Sequence, residues 1–363
     1  MATTLSRAHR VPHTVKPPER CPHCGSTRLI RKGTRRKKLE IVQLWQCKLC
    51  RRVFTPAPPT LRYKTYPLRL ILDGVTLYNL GYSLPDAAKR LKQKHGYSVK
   101  PATLASWMDE HRELTTYRRL RGKSPITLSP AQTIRSLKLY HRQVYSFAYH
   151  RQKLALLRAD PRHQRFAPLA DFLERVPKIC PHDLFSDSSR ASQLANFISR
   201  DHLIVAEKEN FATRAAATVI PAVGDNRLRH ETLQHFMLAN DSVTIAVEIP
   251  IWLTDDDLEA LQIEHGIKLL PDGHEPRVLT GHIDFIQVRN GAVHILDYKP
   301  DARTNKPIAQ LTLYALALTR LAGLRLFDIK CAWFNEEQYC EFFPRALLAS
   351  QQGSQQHIDA ERG

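Results

Sequence analysis

The chain has 363 residues, 43% of them hydrophobic, which is enough for two or three packed domains. No apolar run approaches the ~18 residues of a membrane span. The net charge of +19 is lopsided: residues 1–123 hold 27 of the 54 Lys+Arg but only 7 of the 35 Asp+Glu, a net of +20, which leaves −1 for residues 124–363. A block this basic neutralises several phosphates and points to DNA as partner, with salt-dependent affinity.

Residues 1–18 read as a disordered basic lead-in. Pro12, Pro17 and Pro18 and the lack of an apolar h-region argue against a secretory signal, so a cytoplasmic, nucleoid-associated protein is expected. Residues 19–56 contain Cys21-Pro22-His23-Cys24 and, 22 residues on, Cys47-Lys48-Leu49-Cys50. Two Cys-x-x-Cys knuckles at this spacing predict a zinc ribbon, in which the four thiolates close a tetrahedral structural Zn²⁺ site and His23 is not needed. Arg35, Arg36, Lys37 and Lys38 form a basic run inside it, either a phosphate-contacting loop or a solvated turn.

Residues 60–121 predict three helices: Leu68–Leu80, Leu84–Lys94 opened by Ser83 and Pro85, and Ala102–His111. The second and third are joined by His95-Gly96-Tyr97-Ser98, with Gly96 at the bend. The arrangement resembles a helix-turn-helix, and together with the ribbon it is similar to the N-terminal DNA-binding part of many insertion-sequence transposases. That resemblance implies a third helix in the major groove, with Lys100, Thr103 and Ser106 toward the base edges and Trp107 in the core.

Gly122-Lys123-Ser124 is not a phosphate loop, because Tyr117 stands where the Walker pattern requires glycine. Residues 122–130 read as a linker. Residues 131–223 are expected to be a helical region, with Tyr140, Val144, Phe147 and Leu154 at helical spacing and breaks at Pro161 and Pro177, serving to position the two ends or to form a dimer. Asp255-Asp256-Asp257 is read as the charged first turn of a helix rather than as a metal cluster.

The stretch around which the chain is organised runs from Gly281 to Tyr314. His282–Val288 and Ala292–Tyr298 are β-rich runs joined by Arg289-Asn290-Gly291, a strong hairpin signal. Asp284 and Asp297 then reach one end of a paired sheet, and Lys299 projects from the same face as Asp297. Two carboxylates suit Mg²⁺ or Mn²⁺, and a metal of this kind polarises a phosphodiester and activates water. Lys299 would hold or deprotonate that water, or neutralise charge developing on phosphorus. Gln310 and Tyr314 share one face of a helix opened by Lys306-Pro307 and closed by Gly323. Phe327–Phe334 and Gln338–Phe342 predict a last hairpin.

Gly281-x-x-Asp284, Leu296-Asp297-Tyr298-Lys299 and Gln310-x-x-x-Tyr314 together resemble the RecB-like branch of the PD-(D/E)xK nucleases, which includes CRISPR-associated exonucleases. The resemblance covers residues 224–345, and residues 346–363 are a polar tail. It implies a further histidine ligand, His230 with His235 as the rival, and an acidic strand at Val247-Glu248-Ile249-Pro250 in which Glu248 supports the site. It also implies that Gln310 and Tyr314 contact the DNA backbone. Some of these nucleases hold an iron–sulfur cluster with four cysteines. Only Cys180, Cys331 and Cys340 lie outside the ribbon here, so no cluster is expected.

The expectation is therefore a multidomain protein: an N-terminal zinc ribbon plus helix-turn-helix, a helical middle region, and a C-terminal α/β PD-(D/E)xK restriction-endonuclease-like fold. It reads as a metal-dependent DNA nuclease, an endonuclease in preference to an exonuclease, tied to a mobile element or to genome defence. A transposase, recombinase or helicase is the expected kind of protein partner. The alternative is a DNA-binding regulator or transposition component with an inactive or partner-dependent nuclease fold.

Overall fold

The computed structural model describes residues 18, 20–36, 41–55, 66–187, 189–190, 205, 209–223, 225–265 and 278–349. Among these the chain divides into two compact units, residues 1–112 with 215–236, and residues 113–214 with 237–363.

In the first unit, β1 (Leu29–Arg36), β2 (Ile41–Cys47) and β3 (Val53–Phe54) form an antiparallel sheet in that order. One cysteine pair precedes β1 and the other bridges β2 to β3. The buried apolar groups here are Cys21, Trp45, Cys47 and Phe54. So small a core calls for a cross-link or a metal to fold. Helices α1 (Leu68–Leu80), α2 (Leu84–His95) and α3 (Pro101–Glu110) follow at the expected positions. Ser83 caps α2, its Oγ accepting from the Asp86 N–H at 3.2 Å, and Gly96 ends it at φ 75°. Gly74 is required by contact: a Cβ there would lie 2.6 Å from Leu104 Cδ1 and 3.2 Å from the Trp107 ring. The buried Leu70, Ile71, Val75, Ala87, Leu91, Leu104 and Trp107 close this three-helix core.

The second unit corrects one expectation. Residues 134–150 are not helical; they form a hairpin of β4 (Ile134–His141) and β5 (Gln143–His150). In β4 Leu139 and His141 are buried and Tyr140 is exposed, the alternation of a strand, and the second half of β5, Phe147 to His150, is buried throughout. The turn is made by Arg142 alone, at φ 56°. Helices α4 (Arg151–Ala159), α5 (Ala167–Ile179) and the short α6 (Leu184–Asp187) come next, then β6 (Ser189–Arg190) and α7 (Phe211–Val219). After them come α8 (Arg229–Asn240), which like α7 lies partly in the first unit, and then β7 (Thr244–Thr254) and α9 (Asp255–His265). In α9 the Asp257 carboxylate accepts from the Thr254 N–H at 3.0 Å, so this acid caps the helix as expected.

Strands β8 (Val278–Arg289) and β9 (Ala292–Tyr298) are the predicted hairpin, with Asn290 at φ 51° and Gly291 at φ 69° in its turn. The chain then crosses through α10 (Ile308–Ala322) to β10 (Ile329–Phe334) and β11 (Tyr339–Phe342). The sheet order is β11-β10-β9-β8-β7-β5-β4, with β6 pairing parallel to the start of β8. β9 and β10 are parallel, a pairing that needs a crossover, and α10 supplies it. α10 packs on β7, β9 and β10 and on α5. Its Leu311, Leu313, Leu316 and Leu318 are buried, at about 1.5–3 kcal/mol each.

The start of β7 is anchored by a buried cation. Lys153 Nζ donates to the carbonyls of Leu238 at 2.6 Å, Thr244 at 2.9 Å and Asp241. Burial pushes this ammonium down to about 7 against the pull of Asp241. Asp241 Oδ2 in turn accepts from Thr244 Oγ1 at 2.5 Å and Gln287 Nε2 at 2.9 Å, tying β7 to β8.

Candidate active site

Register assembles the site. β7 and β8 pair Val247 with Phe285 and Ile249 with Ile283, so Glu248 falls opposite Asp284. β8 and β9 pair Phe285 with Leu296, so Asp284 falls opposite Asp297. Residues directly opposite on antiparallel strands have Cβ atoms about 4.5–5.5 Å apart, so three carboxylates form a row across three adjacent strands. Carboxylate oxygens of Glu248 and Asp284 lie within 4.8 Å of each other. Asp284 and Asp297 share the parity of Ile286, Val288, Val293 and Ile295, all part of the main core. That face is covered by α10.

Asp284 is half-buried, and its Oδ2 accepts from the Tyr298 N–H at 3.0 Å. Asp297 is only 4% exposed. Lys299 lies just past β9, where its backbone N–H donates to Phe334 O at 2.9 Å. This fixes the side chain beside the row, with Nζ 2.8 Å from Asp297 Oδ2. Burial alone would lower the Lys299 pKa; the charges of Asp297, Asp284 and Asp301 outweigh it and hold it above its ordinary value. Lys299 is therefore a cation in this arrangement.

Glu248 has φ 52° in the middle of β7. A residue with a Cβ is strained there by about 1–2 kcal/mol, and such outliers gather where a side chain must be aimed.

Gly281, Gln310 and Tyr314 form one contact. A Cβ at Gly281 would lie 2.4 Å from Tyr314 Cε1, so the tyrosine ring rests directly on the β8 backbone. The Tyr314 hydroxyl accepts from Gln310 Nε2 at 3.0 Å, and both side chains are buried. Burial raises the Tyr314 pKa. This motif glycine is thus set by the close approach of α10, three residues before Asp284.

His230 is half-buried in the first turn of α8, and His235 is exposed on the same helix. Five residues turn a helix by about 140° beyond one revolution, so the two face different ways. Asp73 and Lys94 are the charges nearest His235, along with Glu231.

In the first unit Cys21, Cys24, Cys47 and Cys50 converge, with Sγ atoms 3.6 Å apart for Cys21–Cys50 and for Cys24–Cys47. Four thiolates at about 2.3 Å from a tetrahedral zinc are about 3.8 Å apart, so the cluster is compatible with Zn²⁺. The N–H groups of Cys50 and Leu49 outweigh burial and pull the Cys47 thiol down to about 6, while against the pull of the Ser26 N–H burial and the neighbouring sulfurs push the Cys24 thiol up to about 11. Lys100, just before α3, and Ser106, in its middle, are exposed, Thr103 is half-buried, and Trp107 is core. Arg35 and Arg36 are exposed at the end of β1; Lys37 and Lys38 lie outside the described residues.

Sequence reasoning passed over His282, which sits two residues before Asp284 on β8. Its signal was available, since side chains two apart on a strand share a face.

A row of carboxylates with a lysine beside it, on a mixed sheet crossed by a helix, offers oxygen donors of the kind a hard divalent cation takes. Residues 182–358 match the family model of the PD-(D/E)XK nuclease superfamily, and that span carries a domain of this superfamily. The β4–β5 hairpin lies before the matched span yet belongs to the same sheet. No curated protein matches the chain.

Proposed function

We propose that the chain is a DNA nuclease whose catalytic residues are Asp284, Asp297 and Lys299, supported by Glu248. The observation that carries this reading is the register that sets Glu248, Asp284 and Asp297 side by side, with Lys299 at 2.8 Å from Asp297. The carboxylate donors are oxygens, which suits Mg²⁺ or Mn²⁺, with Asp284 and Asp297 as the holding residues, and the motif resemblance adds the imidazole nitrogen of His230. When bound, such an ion supplies polarisation of a phosphoryl oxygen and a more acidic water. Lys299 contributes a fixed positive charge beside the carboxylates, where it can steady a phosphate oxygen as negative charge builds on it. Gln310 and Tyr314 hold α10 against β8, and the motif resemblance implies that this pair contacts the DNA backbone.

The finer reading is an endonuclease that is delivered to DNA by the basic first unit. In this reading the cysteine cluster is a zinc ribbon, α1–α3 are a helix-turn-helix with Lys100, Thr103 and Ser106 toward the bases, and Arg35, Arg36, Lys37 and Lys38 contact phosphates. The +20 charge of residues 1–123 supports it. A mobile-element or genome-defence setting follows from the transposase-like character of that unit. The same charge also favours one second reading, a DNA-binding regulator with a silent nuclease fold.

The test is cleavage of single-stranded, linear duplex and supercoiled DNA with Mg²⁺ or Mn²⁺ by wild type, Lys299→Ala and Asp284→Ala. Cleavage by wild type alone supports the nuclease, and nicking of the supercoiled substrate supports the endonuclease. Binding without cleavage by all three hands the case to the regulator.

A further inference from the structure

The face of β8 that carries Asp284 continues two residues back to His282, and there the second unit gathers three histidines and a cysteine that the nuclease reading leaves unused. His141, the last residue of β4, is buried. Its Nδ1 lies 2.9 Å from Nε2 of His282, and its Nε2 lies 2.8 Å from Nδ1 of His182. The buried Cys180 brings its Sγ to 3.9 Å from that same Nε2. Ligand atoms of His141, Cys180 and His182 all lie within 4.8 Å of one another.

These separations bracket those of a metal site. A tetrahedral zinc with bonds of about 2.0–2.1 Å to nitrogen and about 2.3 Å to sulfur sets N and N about 3.4 Å apart, and N and S about 3.6 Å apart. The observed 2.8 Å and 3.9 Å fall on either side of those values. Imidazole and thiolate select a borderline or soft ion such as Zn²⁺ and discriminate against Mg²⁺, which prefers oxygen. The rings are held in place. Phe185 stacks on His141 at 3.8 Å between centroids and 15°, and Tyr145 stacks on His282 at 3.6 Å and 6°.

The donor types agree with the geometry: imidazole nitrogen and cysteine sulfur are the ligands that zinc takes in protein sites. A plain hydrogen-bonded chain of imidazoles would satisfy His282, His141 and His182, with Cys180 packed beside it in the main core, and the zinc count separates that arrangement from a metal site.

We infer that His141 Nε2, Cys180 Sγ and His182 Nδ1 form a transition-metal site for Zn²⁺, separate from the four-cysteine cluster and from the carboxylate row. Three protein ligands leave the fourth position to water or an incoming donor. The second nitrogen of His141 bonds His282, so the outer-shell partner of the metal sits on the strand of Asp284.

The full-length protein, stripped of metal, is titrated with Zn²⁺ against a chromophoric chelator, comparing wild type with His182→Ala and Cys180→Ser. His182 is exposed, so its truncation leaves the fold intact, and an unchanged far-ultraviolet dichroism spectrum verifies that. Wild type is expected to bind one more tight zinc equivalent than either variant. Co²⁺ should give a tetrahedral visible band that His182→Ala removes while the four-thiolate spectrum of the cluster persists. Equal zinc counts in all three proteins would overturn the inference and leave a hydrogen-bonded imidazole chain. The outcome does not depend on whether the chain cuts DNA.

Discussion

Replacing Gly281 by alanine puts one methyl group into the space of the Tyr314 ring. The new Cβ would lie 2.4 Å from Cε1 and 2.8 Å from both Cζ and the hydroxyl oxygen. Carbon atoms prefer about 3.5–4.0 Å, so ring and strand must part by about 1 Å. Tyr314 is only 5% exposed, and overpacking of this kind costs about 1–3 kcal/mol. The same displacement shifts Asp284, three residues on, or breaks the Gln310–Tyr314 bond. A misplacement of about 1 Å near the chemistry costs roughly 100-fold in rate. Guanidinium unfolding should report the first loss, and the rate of Mg²⁺-dependent cleavage the second. Introduced into a Tyr314→Leu background, Gly281→Ala should cost far less stability, because the opposing ring is gone. A Gly281→Ala protein with wild-type stability and rate, or the same cost in both backgrounds, would refute the contact as the reason for the glycine.

Lys153→Met removes the donor for three buried carbonyls, each worth about 1–3 kcal/mol when left unpaired, so the urea midpoint should fall by the equivalent of roughly 3 kcal/mol or more; an unchanged midpoint would show the clamp to be idle. His294, buried in β9, is pushed down to about 3 by burial and by Arg289 and Lys330, against Glu341. Between its ordinary value and about 3 the unfolded chain binds a proton that the native state lacks, so stability should fall as pH drops through that window. The slope is at most about 1.4 kcal/mol per pH unit for this group. His294→Gln should flatten it, and an identical slope would contradict the assignment. Cys47→Ser should remove one zinc equivalent and expose Trp45, read as a red shift in its fluorescence; retention of both would reject the four-cysteine site.

Local chemistry made much of this fold legible. Asn290-Gly291 fixes a hairpin turn by itself, Ser83 and Gly96 bracket a helix, and Gly323 stops α10, so those elements can be read from neighbouring residues. The β4–β5 hairpin could not be read in this way. Arg142 adopts a left-handed conformation without the glycine or asparagine that usually signals one, and the spacing of Tyr140, Val144 and Phe147 imitates a helix. Asp284, Asp297 and Lys299 were legible because a hairpin of known turn sets its own register. The opposition of Glu248 to Asp284 depends on a strand pairing across more than thirty residues of chain, and the gathering of His141, His182 and His282 depends on three distant segments. Neither leaves a spacing to find.

The left-handed backbone of Glu248 separates two kinds of selection. Glycine alone would occupy that φ without strain, so a library screened only for resistance to heat should enrich glycine at position 248. A library screened for DNA cleavage should keep the carboxylate and carry the strain with it. A lineage released from the need to cut would be free to take the first route.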